Sequence, residues 1–215
     1  MKITIWSDFV CPFCYIGQAN LDNALKTFEH KDEVEIEYKS FQLMPDAEYT
    51  PGETYAETFS KMKGMPAAQA EGMFSQVTET AEKAGVEINY DTAKLTNTLD
   101  AHRVFQYARE QGKGTEFFKA LYLAHFTNGE VLNDEDTLAR LSESVGLDGA
   151  AVRDIVKSEQ YKQDVNVDIS QASSLGIQGV PFFLVNDKYS ISGAQPVELF
   201  QEALGKIYAE EQETE

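Results

Sequence analysis

The chain has 215 residues and carries 36 acidic against 18 basic side chains, which gives a formal net charge of -18 at pH 7. Its hydrophobic fraction of 42% is ordinary for a packed protein and excludes a globally disordered chain. The length fits one large domain, or one domain that carries a sizeable insertion. Because nucleic acids and anionic membrane surfaces would repel so acidic a chain, the expected partners are small molecules or other proteins.

The two cysteines, Cys11 and Cys14, lie in one short segment. A disulfide that closes so small a loop removes little entropy from the unfolded chain, so stabilisation explains the pair poorly. A structural zinc site needs about four ligands, and the three histidines are scattered at His30, His102 and His125. We therefore predict no metal site and expect the cysteines to carry out chemistry.

The N-terminal residues predict a cytoplasmic protein. Met1 to Asp8 contain one positive charge and no apolar run of about 7 to 15 residues, so they do not resemble a secretory signal. No stretch of about 20 apolar residues predicts a transmembrane helix. In a reducing compartment, a close cysteine pair is more often catalytic, redox-sensing or metal-binding than structural.

The first part of the chain predicts a βαβ unit. Ile3 to Phe9 is rich in β-branched and aromatic residues, which is typical of a short buried strand. Pro12 suits the first turn of a helix, whose apolar face comprises Leu21, Ala24, Leu25 and Phe28. Val34 to Ser40 alternates between apolar and charged residues, which predicts a strand with one solvated face near a sheet edge. A right-handed crossover would make the two strands parallel.

A long helical stretch is predicted after Pro45. Thr50 to Glu53 matches a capping box with proline at the first helical position. Gly64 to Pro66 separates this helix from the next one, and Gly85 ends that second helix.

Further helices are predicted before the chain returns to the sheet. Two of them have an apolar face, formed by Ala101, Val104, Phe105 and Ala108 and by Phe117, Ala120, Leu121 and Ala124. Asn133 is predicted to cap the next helix, and Asp148 the one after it. A further helix is expected from Glu159 toward Leu175.

Strands return at Val180 to Val185 and at Tyr189 to Ser192, joined by a short polar turn that suits an antiparallel hairpin. A final helix is predicted to start at Pro196, followed by a solvated acidic tail from Glu210 to Glu215. The order βαβ, helices, ββα predicts an α/β fold with a mixed sheet and helices on both of its faces.

The Cys11-Pro-Phe-Cys14 segment lies between the first strand and the first helix. Cys11 is then at a helix N-terminus, where unpaired N–H groups and the helix dipole favour a thiolate. This arrangement predicts a dithiol-disulfide couple, in which an exposed Cys11 forms a mixed disulfide with the substrate and a buried Cys14 resolves it. Pro12 and Phe13 are candidate substrate contacts, and Phe13 is expected to be exposed.

A second feature lies far downstream, at Gly179-Val-Pro181. The proline begins an apolar strand at a position where a ladder N–H would otherwise be wanted. A cis peptide bond is one way to accommodate it, and a trans proline at the first residue of the strand is the other. In the functional interpretation Val180 and Pro181 face the cysteines, and the backbone of Val180 pairs with the substrate chain.

Four segments together resemble one known family, in that family's order. They are Asp8-Phe-Val-Cys-Pro-Phe-Cys-Tyr-Ile-Gly17, Asn97-Thr-Leu-Asp-Ala-His-Arg103, Gly179-Val-Pro-Phe-Phe183 and Ser192-Gly-Ala-Gln195. Over nearly its whole length the chain resembles the DsbA family of thioredoxin-fold oxidoreductases, specifically its cytoplasmic FrnE-like branch. The resemblance implies the roles of nucleophile, resolver and cis-proline for Cys11, Cys14 and Pro181, and it places residues 97–103 near the active-site cleft.

The resemblance also implies a thioredoxin-like fold with a large all-helical insertion. Residues 1–45 would form the first part of the thioredoxin-like domain, residues 46–174 the helical insertion, and residues 175–215 the second part of the domain.

Two departures from the family bear on the chemistry. The strongly oxidising periplasmic members carry Pro-His between the cysteines, whereas this chain carries Pro-Phe, so a histidine that could stabilise the thiolate is missing. Strong oxidase activity is therefore not expected. Thioredoxins have a buried acid six residues before the nucleophile, where this chain has Ile5. Asp8 is nearer, and we interpret it as a turn residue at the end of the strand.

Related isomerases and kappa-type glutathione transferases share the insertion, but they resemble the chain with serine in place of the cysteine pair. A glutathione site is therefore the alternative, with Asn97 and Thr98 as its first candidates, although both residues also suit helix capping. His102 has no metal partners at helical spacing, so we interpret it as a packed or hydrogen-bonded histidine.

The favoured hypothesis is a thiol-disulfide oxidoreductase or isomerase that acts on protein or small-molecule thiols and disulfides. It needs no cofactor beyond the Cys11-Cys14 couple, and glutathione is a candidate co-substrate. A glutathione-dependent isomerase or transferase is the second hypothesis, and a redox-sensing binding module is the third. Both a monomer and a homodimer are compatible with the sequence.

Overall fold

The computed structural model describes residues 1–213. These residues contain four β-strands and nine α-helices. The strands are β1 (Lys2–Ser7), β2 (Glu35–Ser40), β3 (Phe182–Val185) and β4 (Tyr189–Ser192). The helices are α1 (Pro12–Thr27), α2 (Tyr55–Lys63), α3 (Ala67–Ala84), α4 (Leu99–Glu110), α5 (Gly114–Tyr122), α6 (Glu135–Ser144), α7 (Gly149–Val156), α8 (Lys162–Ser174) and α9 (Val197–Gln212). A short 3-10 helix at Lys31–Glu33 precedes β2, and a π-helical segment at Leu123–Thr127 follows α5.

The strands form one mixed sheet in the order β2-β1-β3-β4. β1 pairs with β2 in parallel and with β3 in antiparallel, so Ile5 lies opposite Tyr38 on one side and opposite Phe183 on the other. β3 and β4 form the predicted hairpin. Its turn residues Asn186 and Asp187 both have positive φ angles, which suits the twist of a tight hairpin. The predicted α/β fold with a mixed sheet is confirmed.

Helices cover both faces of this sheet, as predicted. On one face, Ile5 belongs to the main hydrophobic core together with Leu21 of α1 and Leu204 of α9. On the other face, Trp6 packs with residues near α8, and its indole N–H donates to the backbone oxygen of Asp168 at 3.1 Å. The alternation of side chains along β1 therefore separates the two helical layers.

β2 lies at the sheet edge, as predicted, but its charged face is only partly solvated. The ammonium of Lys39 lies 3.3 Å from a carboxylate oxygen of Asp168, which is buried in α8. The same carboxylate accepts hydrogen bonds from the backbone N–H of Ser40 and from the side chain of Gln106. A side chain from the helical region thus anchors β2.

The helical region and the sheet share one continuous core. Phe105 of α4, Phe117 of α5 and Leu138 of α6 belong to the same buried cluster as Ile5 of β1. The apolar face predicted for α4 is fully buried, at Ala101, Val104, Phe105 and Ala108. The helices of the insertion therefore buttress the sheet directly. Within residues 1–213, no helix is both long and apolar enough to cross a membrane.

The predicted capping box at Thr50 to Glu53 was wrong. These residues form a turn in which Gly52 has a φ of 91°, a left-handed conformation that does not continue into a helix. The box lies four residues later, where the Thr54 side chain accepts from the Glu57 N–H and the Glu57 carboxylate accepts from the Thr54 N–H. The same Thr-x-x-Glu pattern occurs twice in succession, and only the second copy starts a helix.

Two other predicted helix starts shift along the chain. α6 is capped by Asp134 and not by Asn133, because the Asp134 carboxylate accepts from the Thr137 N–H at 2.8 Å. The helix expected from Glu159 begins at Lys162. The predicted cap at Asp148 is confirmed.

The acidic tail was also predicted wrongly, since α9 continues through Gln212. Tyr189 of β4 donates a hydrogen bond to Glu210, and Asn186 of the hairpin turn donates one to Glu211. These contacts hold the end of the helix against the hairpin. The last two residues of the predicted tail, Thr214 and Glu215, lie outside the described residues.

Candidate active site

The cysteine motif lies where β1 leads into α1. Cys11 occupies the N-cap position of the helix, and Pro12 is its first residue, as predicted. The Cys11 N–H donates to the Asp8 oxygen at 3.1 Å, and the Cys11 oxygen accepts from the Cys14 N–H at 3.1 Å. These bonds fix the turn, so Cys11 is held at the positive end of the helix dipole.

Both thiols are free and buried, with exposed fractions of 4% for Cys11 and 1% for Cys14. The prediction of an exposed Cys11 was therefore wrong. Its thiol points to the start of β3 and donates to the Val180 oxygen at 3.6 Å, so a segment far along the chain covers it. Phe13 is 46% exposed, which confirms the prediction for that side chain.

The environment of Cys14 favours the protonated thiol. Burial raises its pKa well above the usual value, and the neighbouring Cys11 adds to this effect. The Ser7 side chain and the Asp8 backbone act in the opposite direction and lower the pKa. If Cys14 is to react as a thiolate, these two groups favour the reactive form.

Val180 and Pro181 lie beside the cysteine turn, and the peptide bond between them is cis. Gly17 of α1 has no Cβ, and one built there would come within 3.1 Å of Pro181 and 3.3 Å of Phe183. The glycine therefore allows α1 to pack closely on the start of β3. This packing sets the position of Val180 relative to Cys11.

The Ser192 to Gln195 segment, at the end of the β3-β4 hairpin, contacts both Pro181 and helix α1. The Gly193 N–H donates to the Pro181 oxygen at 2.9 Å, and the Asn20 amide of α1 donates to the Gln195 oxygen at 2.9 Å. The segment thus contacts the site through its backbone.

Asp8 is the predicted turn residue at the end of β1, because its backbone oxygen accepts from the Cys11 N–H, but its side chain has a further role. Its carboxylate is fully buried and accepts from the Leu43 N–H at 2.7 Å and from the Thr98 hydroxyl at 2.8 Å. The ring Nε2 of His102 lies 3.2 Å from the same carboxylate, in agreement with the prediction of a hydrogen-bonded histidine. Asp8 therefore links the cysteine turn to α4 and to the loop after β2.

Asn97 and Thr98 point in different directions. Thr98 contacts Asp8, whereas the Asn97 amide donates to the Pro45 oxygen and accepts from the Leu99 N–H at 2.7 Å. The latter bond satisfies the first N–H of α4 from the residue before the N-cap, as the capping interpretation allowed for Asn97, whereas Thr98 occupies the N-cap without a side-chain capping bond, so the capping interpretation was wrong for Thr98. Asn97 also lines a shallow cleft of about 550 Å³ with Pro45, Tyr49 and Asn133. The structure thus connects Thr98, but not the Asn97 side chain, to the cysteine turn.

Two further residues adjoin the cysteines. The Ser7 hydroxyl lies 2.5 Å from the Tyr122 hydroxyl, and both side chains are buried. Ser7 follows Trp6 at the end of β1, and Tyr122 lies 115 residues away at the end of α5. The sequence carries no signal for this contact. Among residues 1–213, no cluster of three or more His, Cys, Asp or Glu side chains is arranged to hold a metal ion.

The sequence is similar to two known protein sequences over most of its length. The protein YwbO of Bacillus subtilis is 31% identical over 212 residues, which cover 95% of this chain and 96% of YwbO. The 2-hydroxychromene-2-carboxylate isomerase of Sphingobium xenophagum is 25% identical over 189 residues, covering 86% of this chain and 89% of the isomerase.

Solved structures share the fold. The probable DsbA oxidoreductase SCO1869 from Streptomyces coelicolor superimposes with a TM-score of 0.89 at 32% identity, covering 98% of this chain and 91% of that one. The cytosolic disulfide reductase DsbM from Pseudomonas aeruginosa, solved with GSH, has a TM-score of 0.68 at 16% identity and covers 97% of this chain and 100% of its own. Residues 2–205 match the DSBA-like thioredoxin domain. The chain therefore belongs to the DSBA-like thioredoxin domain family of thiol oxidoreductases.

Proposed function

We propose that the protein is a thiol-disulfide oxidoreductase or isomerase in which Cys11 is the nucleophile and Cys14 the resolving thiol. One observation carries the proposal. Cys11 occupies the N-cap position of α1 with its thiol against the Val180 oxygen, and Cys14 lies one helical turn further on, more deeply buried. A helix N-terminus stabilises a thiolate, so the first thiol is suited to attack and the second to resolve.

The proposed reaction needs only the two thiols and a substrate disulfide. The Cys11 thiolate attacks one substrate sulfur, a mixed disulfide forms, and the other substrate sulfur leaves with the electron pair and takes up a proton. Cys14 then attacks Cys11, and the second substrate thiol is released. The substrate disulfide is reduced by two electrons while the Cys11-Cys14 disulfide forms. Run in reverse, the same steps oxidise a substrate dithiol, so no resident cofactor is part of the proposal.

Three residues around the turn are proposed to contact the substrate. Phe13 is the exposed member of the motif, Pro12 precedes it on α1, and the Val180 backbone lies beside the Cys11 thiol. An exposed aromatic ring next to the reacting sulfur offers an apolar contact to a substrate chain. Protein or small-molecule thiols and disulfides are the proposed partners, and the cytoplasm is the proposed location. Membership of the FrnE-like branch stays a prediction.

Insulin reduction and the refolding of scrambled ribonuclease test the proposal. We expect the wild-type protein to be active in at least one assay and Cys11→Ser to be inactive in both. Equal behaviour of the two proteins in both assays contradicts the proposal. Cys14→Ala is expected to accumulate mixed disulfides, because the thiol that would resolve them is gone.

A glutathione-dependent isomerase or transferase is the second candidate. Similarity to 2-hydroxychromene-2-carboxylate isomerase, and a fold shared with a disulfide reductase that was solved with GSH, favour it. Thr98 is the proposed contact of glutathione nearest the cysteine turn, and Asn97 the more distant one. Activity that survives Cys14→Ala and requires glutathione supports this candidate. Calorimetry that detects no glutathione binding removes it.

A further inference from the structure

The resolving step requires a buried thiol to lose its proton. Cys14 is 1% exposed, so bulk water does not solvate its thiolate. The titratable groups near it are Cys11 on the same helix, Tyr38 on β2 and Tyr122 on α5, and the backbone of Asp8 in the preceding turn also interacts with it. Charge in a site of this kind is stabilised by hydrogen bonds or is not formed.

Hydroxyl groups offer such bonds on the side of Cys14 that faces the sheet. The Ser7 side chain interacts with the Cys14 thiol and lowers its pKa. The Tyr122 hydroxyl lies 2.5 Å behind the Ser7 hydroxyl. The Tyr38 hydroxyl, in contrast, is buried with no hydrogen-bond partner in residues 1–213. The Ser7 and Tyr122 hydroxyls are therefore bonded to each other, and Ser7 is the member of the pair that acts on Cys14.

We propose that Ser7 and Tyr122 form a hydrogen-bonded chain that stabilises the Cys14 thiolate while it attacks the mixed disulfide. The Tyr122 O–H donates to the Ser7 oxygen, and the Ser7 O–H donates to the Cys14 sulfur. Both are positioning residues that act through Cys14. The inference rests on the proposed function, because it assigns the two hydroxyls to the resolving step of that reaction.

The surroundings of Tyr122 suit a fixed, neutral donor. Its ring is fully buried and packs against Tyr15 at 5.1 Å and Phe118 at 5.4 Å between ring centroids. Burial raises the pKa of Tyr122 well above its ordinary value, so the phenol keeps its proton at neutral pH. A bond from this phenol polarises the Ser7 hydroxyl and strengthens its donation to a charged sulfur.

The step balances without a further reactant. The Cys14 thiolate forms the bond to Cys11, the bond from Cys11 to the substrate breaks, and the substrate sulfur leaves with the electron pair. The proton lost by Cys14 is taken up by the leaving thiolate, directly or through water. Ser7 and Tyr122 exchange no net proton and are unchanged at the end.

Reaction with the aromatic disulfide 5,5′-dithiobis(2-nitrobenzoate), followed by stopped-flow absorbance, separates the two steps. Attack by Cys11 releases one coloured thiolate, and resolution by Cys14 releases a second. Cys14→Ala should abolish the second phase and thereby assign it. A wild-type protein without a first phase contradicts the proposed function, whereas the further inference depends on the second phase alone.

We expect Ser7→Ala to slow the second phase about tenfold at pH 7, the loss typical of a hydrogen bond to a charged group, and to leave the first phase within about twofold. The difference in second-phase rate between Ser7→Ala and wild type should narrow as the pH rises, because higher pH forms the Cys14 thiolate even without the Ser7 hydrogen bond. Ser7→Thr, which keeps the hydroxyl, should recover the wild-type rate. Tyr122→Phe should show a smaller deficit with the same pH trend.

Two controls remove buried hydroxyls without removing a hydrogen bond. Ser142 in α6 and Tyr38 in β2 both have hydroxyls without a partner in the described chain. Ser142→Ala and Tyr38→Phe should therefore leave both phases unchanged. A Ser7→Ala variant with a wild-type second phase, or with the same deficit at every pH, overturns the inference. If Ser7→Ala does not fold, Tyr122→Phe decides on the same criteria.

Discussion

The Asp8 carboxylate lies 3.2 Å from Nε2 of His102, and both side chains are fully buried. The contact joins the turn before Cys11 to α4, across 94 residues of sequence. Thr98 and the Leu43 N–H donate to the same carboxylate. Three segments of the chain therefore meet at one acceptor next to the cysteines.

Replacing Asp8 by asparagine should destabilise the protein by about 2 kcal/mol, because an amide N–H₂ would face groups that are themselves donors and leave one of them unsatisfied. The free energy of unfolding from urea titration measures the effect. Asp46→Asn, at an exposed position in the loop after β2, is the control and should stay within about 0.5 kcal/mol of wild type. An Asp8→Asn variant as stable as the control would show that the Asp8 carboxylate makes no net contribution to the free energy of unfolding.

The Asp8 cluster illustrates which features the sequence could reveal. The strands and most helices were predictable because apolar periodicity and glycine or proline signals are local, as at Pro12 and Gly85. The partners of Asp8 come from distant segments, and no local pattern marks them.

The same limit applies to the site. The Cys-x-x-Cys spacing predicted the helix start at Cys11, since capping is a local property. The burial of the Cys11 thiol depends on Val180, which lies 169 residues further along the chain. Ser7 and Tyr122 likewise meet only in the folded chain.

Gly17 should be sensitive to added bulk, and Gly72 should not. A Cβ at Gly17 would meet Pro181 at 3.1 Å, whereas one at Gly72, in α3, meets nothing within 4 Å. Alanine at Gly72 should stabilise the protein by about 0.5 to 1 kcal/mol through helix propensity. At Gly17 the crowding offsets that gain, so Gly17→Ala should be less stable than Gly72→Ala by about 1 to 2 kcal/mol.

Thermal unfolding compares these two variants with wild type, since a difference of 1 kcal/mol shifts Tm by about 2 to 4 °C in a chain of this size. Gly17→Ala should also change the rate at which Cys11 reacts with an aromatic disulfide, because α1 must move relative to Val180. Equal stabilisation by both alanines would show that α1 and the start of β3 separate freely.

The start of α2 can be tested with two threonines from the same sequence pattern. Thr54→Ala removes the bond that the Thr54 side chain accepts from the Glu57 N–H and should cost about 1 kcal/mol, while the bond from the backbone N–H of residue 54 to the Glu57 carboxylate remains. Thr50→Ala, in the preceding turn, removes no capping bond and should stay within about 0.5 kcal/mol of wild type. Urea unfolding of both variants measures the difference, and a larger loss at Thr50 would contradict the observed helix start.

His125 should make stability depend on pH. Burial lowers its pKa to about 4, with a small opposing effect from the negative charge of Asp8, and both ring nitrogens lack a partner in the described residues. The unfolded histidine has a pKa of about 6.5, so between these values the unfolded chain binds a proton that the native chain does not. The contribution of His125 to the free energy of unfolding is therefore fully present above about pH 6.5. It falls as the pH drops toward 4, by about 3 kcal/mol in all.

His125→Phe removes the titrating ring from the same aromatic environment, next to Phe126 and Tyr55. We expect the loss of stability between pH 7 and pH 4.5, measured by urea unfolding, to be smaller in this variant than in wild type. Any packing cost of the larger apolar ring applies at both pH values and cancels in that comparison. Phe126→Leu is the control: it should lower stability by the same amount at both values, because it changes packing in the same π-helical segment without changing a titratable group. A wild-type pH dependence in His125→Phe would mean that other groups account for the acid sensitivity.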